Sequence, residues 1–150
     1  MEIILAENHG FCYGVKRAVE MADEAANSEG KSYTLGPIIH NPQVVGRLES
    51  KGVSPIQEVA DIDEGTMIIR SHGVGPAIYA EAEEKGLHIL DATCPHVKKA
   101  QQDAKSVIED GMTLVILGEK NHPEVKSINL WANNKGIIIE DEESAEKLQI

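Results

Sequence analysis

The chain has 150 residues, enough for one ordinary domain with a buried core. Apolar residues make up 41%, with one Phe, one Trp and three Tyr, which leaves few rings to stack nucleic-acid bases. A formal charge of −11 argues against nucleic acid and anionic membrane as main partners, and no apolar run is long enough to span a bilayer.

The start, Met1-Glu2-Ile3-Ile4-Leu5, lacks the basic residues of a signal peptide and soon meets Glu7. Two cysteines in an acidic chain of this kind point to a reducing cytoplasm and to ligand or catalytic use. Glu2–Ala6 reads as a short first strand, and Asn8-His9-Gly10 turns the chain into Cys12. From Gly14 to about Ala26 the apolar residues Val15, Ala18, Val19, Ala22 and Ala25 follow helical spacing. Ser32–Leu35 is the next strand, closed by Gly36-Pro37, and Asn41-Pro42 opens a helix through Val44, Val45 and Leu48 that ends at Lys51-Gly52. Thr66–Arg70 reads as a buried strand, followed by the Gly-rich turn around His72 and a helix to about Lys85.

The plan then recurs. Leu87–Leu90 is a strand, Pro95–Glu109 a helix, Thr113–Leu117 a strand, Pro123–Trp131 a shorter helix and Gly136–Glu140 a strand before a polar helix from Ser144. Strands alternating with helices predict an α/β fold of repeated small parallel-sheet units, with no low-complexity linker between them.

A shift of 82 residues lays Cys12 on Cys94, Leu35-Gly36 on Leu117-Gly118, His40 on His122 and Leu48 on Leu130. A purely architectural repeat would keep apolar positions and glycines, with no reason to keep a cysteine and a histidine. With a two-residue slip near Lys135-Gly136, the counterpart of Thr66 falls at about position 150. The sequence thus stops mid-pattern, and the expectation is the front part of a longer protein.

Both cysteines sit where a strand turns into a helix, and unsatisfied backbone N–H groups there favour a thiolate, as a metal ligand or nucleophile requires. Two small buried hydrophobes would be the bland alternative. His40, His72 and His122 each follow a strand, so a parallel sheet would gather them with the cysteines beyond its carboxyl ends, beside helix N-termini suited to a phosphate-type anion. Taken singly, each is equally a loop histidine capping a helix. Glu124, two residues after His122, is placed to hand protons to a bound substrate, and is equally an ordinary first-turn glutamate. His9, His88 and His96 fall outside the repeat and read as structural, and Glu140-Asp141-Glu142-Glu143 reads as a solvated face. Two thiolates alone do not hold an iron–sulfur cube, but a further unit would bring a third cysteine and leave one iron open to substrate.

Gly10-Phe11-Cys12-Tyr13-Gly14-Val15-Lys16-Arg17-Ala18 resembles the opening of the hydroxymethylbutenyl diphosphate reductases, the IspH/LytB family of isoprenoid synthesis. Gly36-Pro37-Ile38-Ile39-His40-Asn41, Ser71-His72-Gly73-Val74, Asp91-Ala92-Thr93-Cys94-Pro95 and His122-Pro123-Glu124-Val125 match further motifs in order and spacing. The resemblance implies a cytoplasmic oxidoreductase with three similar α/β domains around a [4Fe-4S] cluster. Cys12 and Cys94 would be two of its ligands, and the third cysteine would lie beyond residue 150. It implies that His40, His72 and His122 line the diphosphate site, that His122 also approaches the substrate hydroxyl, and that Glu124 is the proton donor. A threonine of the proton relay and Ser/Asn residues of the diphosphate pocket would also lie past Ile150.

The implied reaction is reductive dehydroxylation of 4-hydroxy-3-methylbut-2-enyl diphosphate to isopentenyl and dimethylallyl diphosphates, with a ferredoxin or flavodoxin as electron donor. Residues 1–13 would hold a first strand that joins the C-terminal domain, residues 14–94 the first α/β domain, and residues 95–150 a truncated second. Without the remainder, Glu2–Ala6 would lack its sheet and the chain its activity. Two other readings stay open: a zinc-dependent hydrolase of a phosphorylated substrate, built from the same cysteines and histidines, and a non-catalytic α/β binding module.

Overall fold

The computed structural model describes residues 1–148. Its first unit is a parallel sheet of β1 (Ser32–Leu35), β2 (Val53–Ile56), β3 (Thr66–Ile69) and β4 (His88–Asp91) in the order β2-β1-β3-β4. Helices α1 (Tyr13–Ala26) and α2 (Pro42–Ser50) cover one face, and α3 (Pro76–Glu84) covers the other. Alternation along β3 explains this three-layer arrangement: Ile68 joins Ala18, Ala22, Leu48 and Val53, while Met67 and Ile69 join Val59, Ile62 and Ala82. Successive strand side chains point to opposite faces, so a fully apolar strand must be covered on both.

The second unit has a parallel pair, β5 (Val115–Leu117) and β6 (Ile137–Ile139), with helices α4 (Pro95–Glu109), α5 (Pro123–Trp131) and α6 (Glu142–Glu146). It is fastened to the first unit by polar contacts. Ser127 Oγ shares its proton between His72 O and Glu124 O, each at 2.8 Å, and accepts from buried Gln101 Nε2 at 3.2 Å, and Trp131 Nε1 donates to Val74 O at 2.9 Å. The α/β expectation holds, and the order α1-β1-α2-β2 recurs in α4-β5-α5-β6. The sequence reading of the helices at 95–109 and 123–131 and of the strand at 32–35 matches the structure at both ends.

Two segments depart from the strand-by-strand reading, and the first does so as expected of Glu2–Ala6 without its sheet. Glu2–Ala6 forms no strand, and Ile3, Ile4 and Leu5 are 73%, 81% and 75% exposed. A strand is stabilised by its neighbours, and this segment pairs with none among the described residues. Conversely β2 was not foreseen, because Ser54 and Pro55 interrupt its apolar pattern. Pro55 is tolerated because β2 is an edge strand, with β1 as its one partner, in register Thr34 to Pro55. Glu140-Asp141-Glu142-Glu143 is exposed as read, yet also does structural duty: Asp141 Oδ1 caps α6 and Glu140 Oε1 accepts from Lys120 N. Among the described residues, no helix is long and apolar enough to cross a membrane.

Candidate functional site

The chain leaves β1 toward β2 and leaves β3 toward β4, so the loops at the carboxyl ends of β1 and β3 part company. Open α/β sheets bind ligands in the crevice this creates. The β1 loop carries His40, next to Asn41, whose Oδ1 accepts from Val44 N at 3.1 Å and caps α2. The β3 loop carries His72. Gly73 beside it has φ +71°, and a Cβ there would run into the Gln101 side chain and meet Thr93 Cγ2 at 3.0 Å. A glycine is therefore needed for this turn to lie against α4.

The third histidine arrives from the second unit, where His122 is the N-cap of α5. The His40 ring centroid lies 4.6 Å from that of His72 and 6.1 Å from that of His122, and His72 and His122 are 5.7 Å apart. Their ligand atoms all fall within 4.8 Å of one another, with His40 exposed and the other two half-buried. Neither Glu124 nor the cysteines belong to that tight cluster. His9, His88 and His96 are exposed and stand apart from it as well.

The electrostatics suit an anion. Burial first, then the neighbouring His40, Arg70 and His122, push the His72 pKa down to about 4. Its buried Nδ1 has no hydrogen-bond partner among the described residues, nor has Arg70 Nε. The helix-capping alternative holds for His122, whose Nδ1 accepts from Glu124 N at 3.3 Å. That contact has a chemical consequence: a neutral ring held this way keeps its proton on Nε2 and offers a donor instead of a lone pair. A phosphate oxygen is a better match for it than a metal ion.

The cysteines stand at the mouth of the same crevice. Cys12 is the N-cap of α1 and Cys94 the N-cap of α4; neither side chain makes a capping hydrogen bond, and both thiols are free. Cys94 N donates to Ser71 O at 2.9 Å, which ties it to the residue before His72. On the other side a recess of about 220 Å³ is lined by Phe11, Val15, Ile39, His40, Ser71 and His72, placing the flanks of Cys12 beside two of the histidines. Glu124 is half-buried in the first turn of α5.

Sequence reasoning passed over the residues that hold the Cys94 loop. Asp91 takes Thr93 N at 3.0 Å, Tyr79 OH at 3.1 Å and Lys98 Nζ at 2.6 Å. Burial raises its pKa, but those bonds from Lys98 and Thr93 more than offset this and leave it below the usual carboxylate range. Burial, with Asp91 beside it, raises the Tyr79 pKa to about 12. The available signal was position: Asp91 and Arg17 both lie inside the cysteine motifs.

Known proteins share this sequence and fold. The chain is 51% identical over 148 residues to the 4-hydroxy-3-methylbut-2-enyl diphosphate reductase of Geobacter metallireducens, covering 99% of this chain and 52% of that protein. The enzyme of the same name from Caldanaerobacter subterraneus is 48% identical, with 99% and 53% covered. The chain thus spans about half the length of the curated relatives it matches. A solved (E)-4-hydroxy-3-methyl-but-2-enyl diphosphate reductase, described as the terminal enzyme of the non-mevalonate pathway, superposes with a TM-score of 0.83 at 47% identity, covering 97% of this chain and 53% of that one. The E-1-hydroxy-2-methyl-but-2-enyl-4-diphosphate reductase of Plasmodium falciparum gives 0.91 at 32% identity, with 96% and 46% covered. The LytB protein family model matches residues 3–150, so the chain belongs to the LytB family.

Proposed function

We propose that this chain is the front part of an iron–sulfur oxidoreductase that converts 4-hydroxy-3-methylbut-2-enyl diphosphate to isopentenyl and dimethylallyl diphosphates. The observation that carries the reading is the convergence of three histidines at the switch point of a parallel sheet, with the Cys94 loop bonded to the residue before His72 and the neighbours of Cys12 lining a recess beside His40 and His72. In this reading residues 14–94 and 95–150 are successive α/β domains, and residues 1–13 pair with a later one. The enzyme works in the cytoplasm, with a ferredoxin or flavodoxin as electron donor.

Cys12 and Cys94 suit two ligand positions of a [4Fe-4S] cluster. Both thiols are free, both residues are helix N-caps, and the missing Cβ of Gly14 leaves room against Cys94 Sγ. The third cysteine lies beyond residue 150. When bound, such a cluster supplies electrons and a Lewis-acidic iron for the substrate hydroxyl.

The chain's own residues bind and protonate. His40, His72 and His122 hold the diphosphate, with His122 Nε2–H aimed outward by the Nδ1 contact to Glu124 N and near the hydroxyl group. Glu124 gives the proton that lets the hydroxyl leave as water. The balance is two electrons and two protons consumed for one C–O bond broken and one C–H bond formed.

The test is anaerobic turnover of 4-hydroxy-3-methylbut-2-enyl diphosphate with a chemical reductant. Protein from the complete reading frame is expected to yield the two dehydroxylated diphosphates, and residues 1–150 alone to yield none. Release of pyrophosphate without reduction would instead support the zinc hydrolase.

A further inference from the structure

The loop that carries Cys94 is gripped by a side chain from the helix that Cys12 begins. Arg17 Nη1 donates to Thr93 O at 3.2 Å, and Arg17 Nη2 donates to Asp91 O at 3.3 Å. Two nitrogens of one planar guanidinium thus take two carbonyls of one turn in a fixed fork, a geometry that the single nitrogen of a lysine on its flexible stem does not hold. Gly14 lies one helical turn before Arg17 and on the same face, and a Cβ on it would overlap Cys94 Sγ. Helix α1 therefore meets the Cys94 loop twice, once at the thiol and once at the carbonyls behind it.

Both ends of this bridge are rigid. Cys12 is locked to α1, because its carbonyl accepts from Lys16 N at 2.9 Å. Cys94 is locked to the sheet through Ser71 O, and its turn is closed by Thr93 N on Asp91 Oδ1 at 3.0 Å. Below this point α1 packs on the sheet through a shared core that includes Ala18, Val19, Ile68 and Ala92, while the Arg17 fork and the Gly14 contact are where α1 meets the Cys94 turn nearest the thiols.

We propose that Arg17 is a positioning residue that sets the separation of the Cys12 and Cys94 thiols. It acts through the carbonyls of Asp91 and Thr93 and touches neither the metal nor the substrate. The proposal rests on the reading that the two cysteines serve one metal centre.

The test uses metal-free, reduced protein and Cd²⁺, whose ultraviolet thiolate band reports how many thiolates bind. Competition with a chelator gives the affinity. The unsubstituted protein is expected to bind one Cd²⁺ through both thiolates, and Arg17→Lys to bind roughly tenfold more weakly, as for about one lost hydrogen bond from a charged donor. Far-ultraviolet circular dichroism should stay unchanged, and the melting midpoint should fall by no more than a few degrees. Gly14→Ala presses on the same spacing without touching the fork and should weaken binding too, which keeps the test usable if Arg17→Lys fails to fold. Lys99→Gln, on an exposed lysine paired with Asp103, is the control expected to bind normally.

Normal two-thiolate binding by both Arg17→Lys and Gly14→Ala overturns the proposal. One-thiolate binding by the unsubstituted protein overturns the shared-centre reading and the proposal with it. A failure of iron–sulfur assembly alongside intact two-thiolate cadmium binding strikes the cluster and spares the role of Arg17.

Discussion

His72 shows how a single ring can carry both a stability cost and a binding role. Its pKa is about 4 in the folded protein against an ordinary 6.5, so between those values the unfolded chain binds a proton that the folded one does not. Stability is therefore predicted to fall as pH drops from about 6.5 toward 4, and His72→Asn should flatten that part of a urea-denaturation profile. An anion in the crevice reverses the preference, so inorganic pyrophosphate should bind more tightly at pH 5.5 than at pH 7.5, as isothermal calorimetry would show. Truncating His122 to Ala should weaken that binding by roughly tenfold or more, since hydrogen bonds to charged groups exceed neutral ones.

At this scale the site was partly legible in the sequence. Cys12, Cys94, His40 and His122 stand out because an 82-residue shift superimposes reactive side chains. The counterpart of His72 in the repeat would fall past residue 150, so His72 was found from its Gly-rich turn after a strand. Arg17 was not legible as a contact, because its partners are backbone carbonyls 74 and 76 residues away. No side-chain pattern records such a bond.

Among the elements, the lesson is in β2. Its Val-Ser-Pro-Ile sequence hides a strand because Pro55 breaks the pattern, yet β6 was read correctly, and the repeat with its two-residue slip carries Ile137 back to Val53. Glu2–Ala6 is the opposite case: strand-like composition with no adjacent strand among the described residues. Two substitutions probe how elements aim the site. Ile68→Ala removes a fully buried side chain from β3 and should cost about 2–5 kcal/mol in chemical denaturation. Asn41→Ala removes the α2 cap and should cost about 1 kcal/mol, with weaker pyrophosphate binding because His40 is the preceding residue.

For the whole molecule, the two sheets meet through α4 and α5, and Ser127 is the hinge pin of that contact. Its hydroxyl is 2.8 Å from His72 O and 3.2 Å from Gln101 Nε2, and the residue is 2% exposed. Ser127→Ala strands a buried amide and a carbonyl, so a loss of about 1–3 kcal/mol is predicted in urea, with pyrophosphate binding reduced as His72 and His122 move apart. Composition alone settled less at this scale. The charge of −11 and the scarcity of aromatic rings argued against some partners but named none, while the order of five motifs pointed to a single family.

The central claim is that Cys12 and Cys94 belong to one iron–sulfur centre. Its most direct test is the iron, acid-labile sulfide and zinc content of anaerobically purified protein from the complete reading frame, compared with Cys12→Ser and Cys94→Ser. The account predicts iron and sulfide in matching amounts, lost or greatly reduced in either variant, with little zinc throughout. Zinc without sulfide, or iron and sulfide that survive both substitutions, would contradict it.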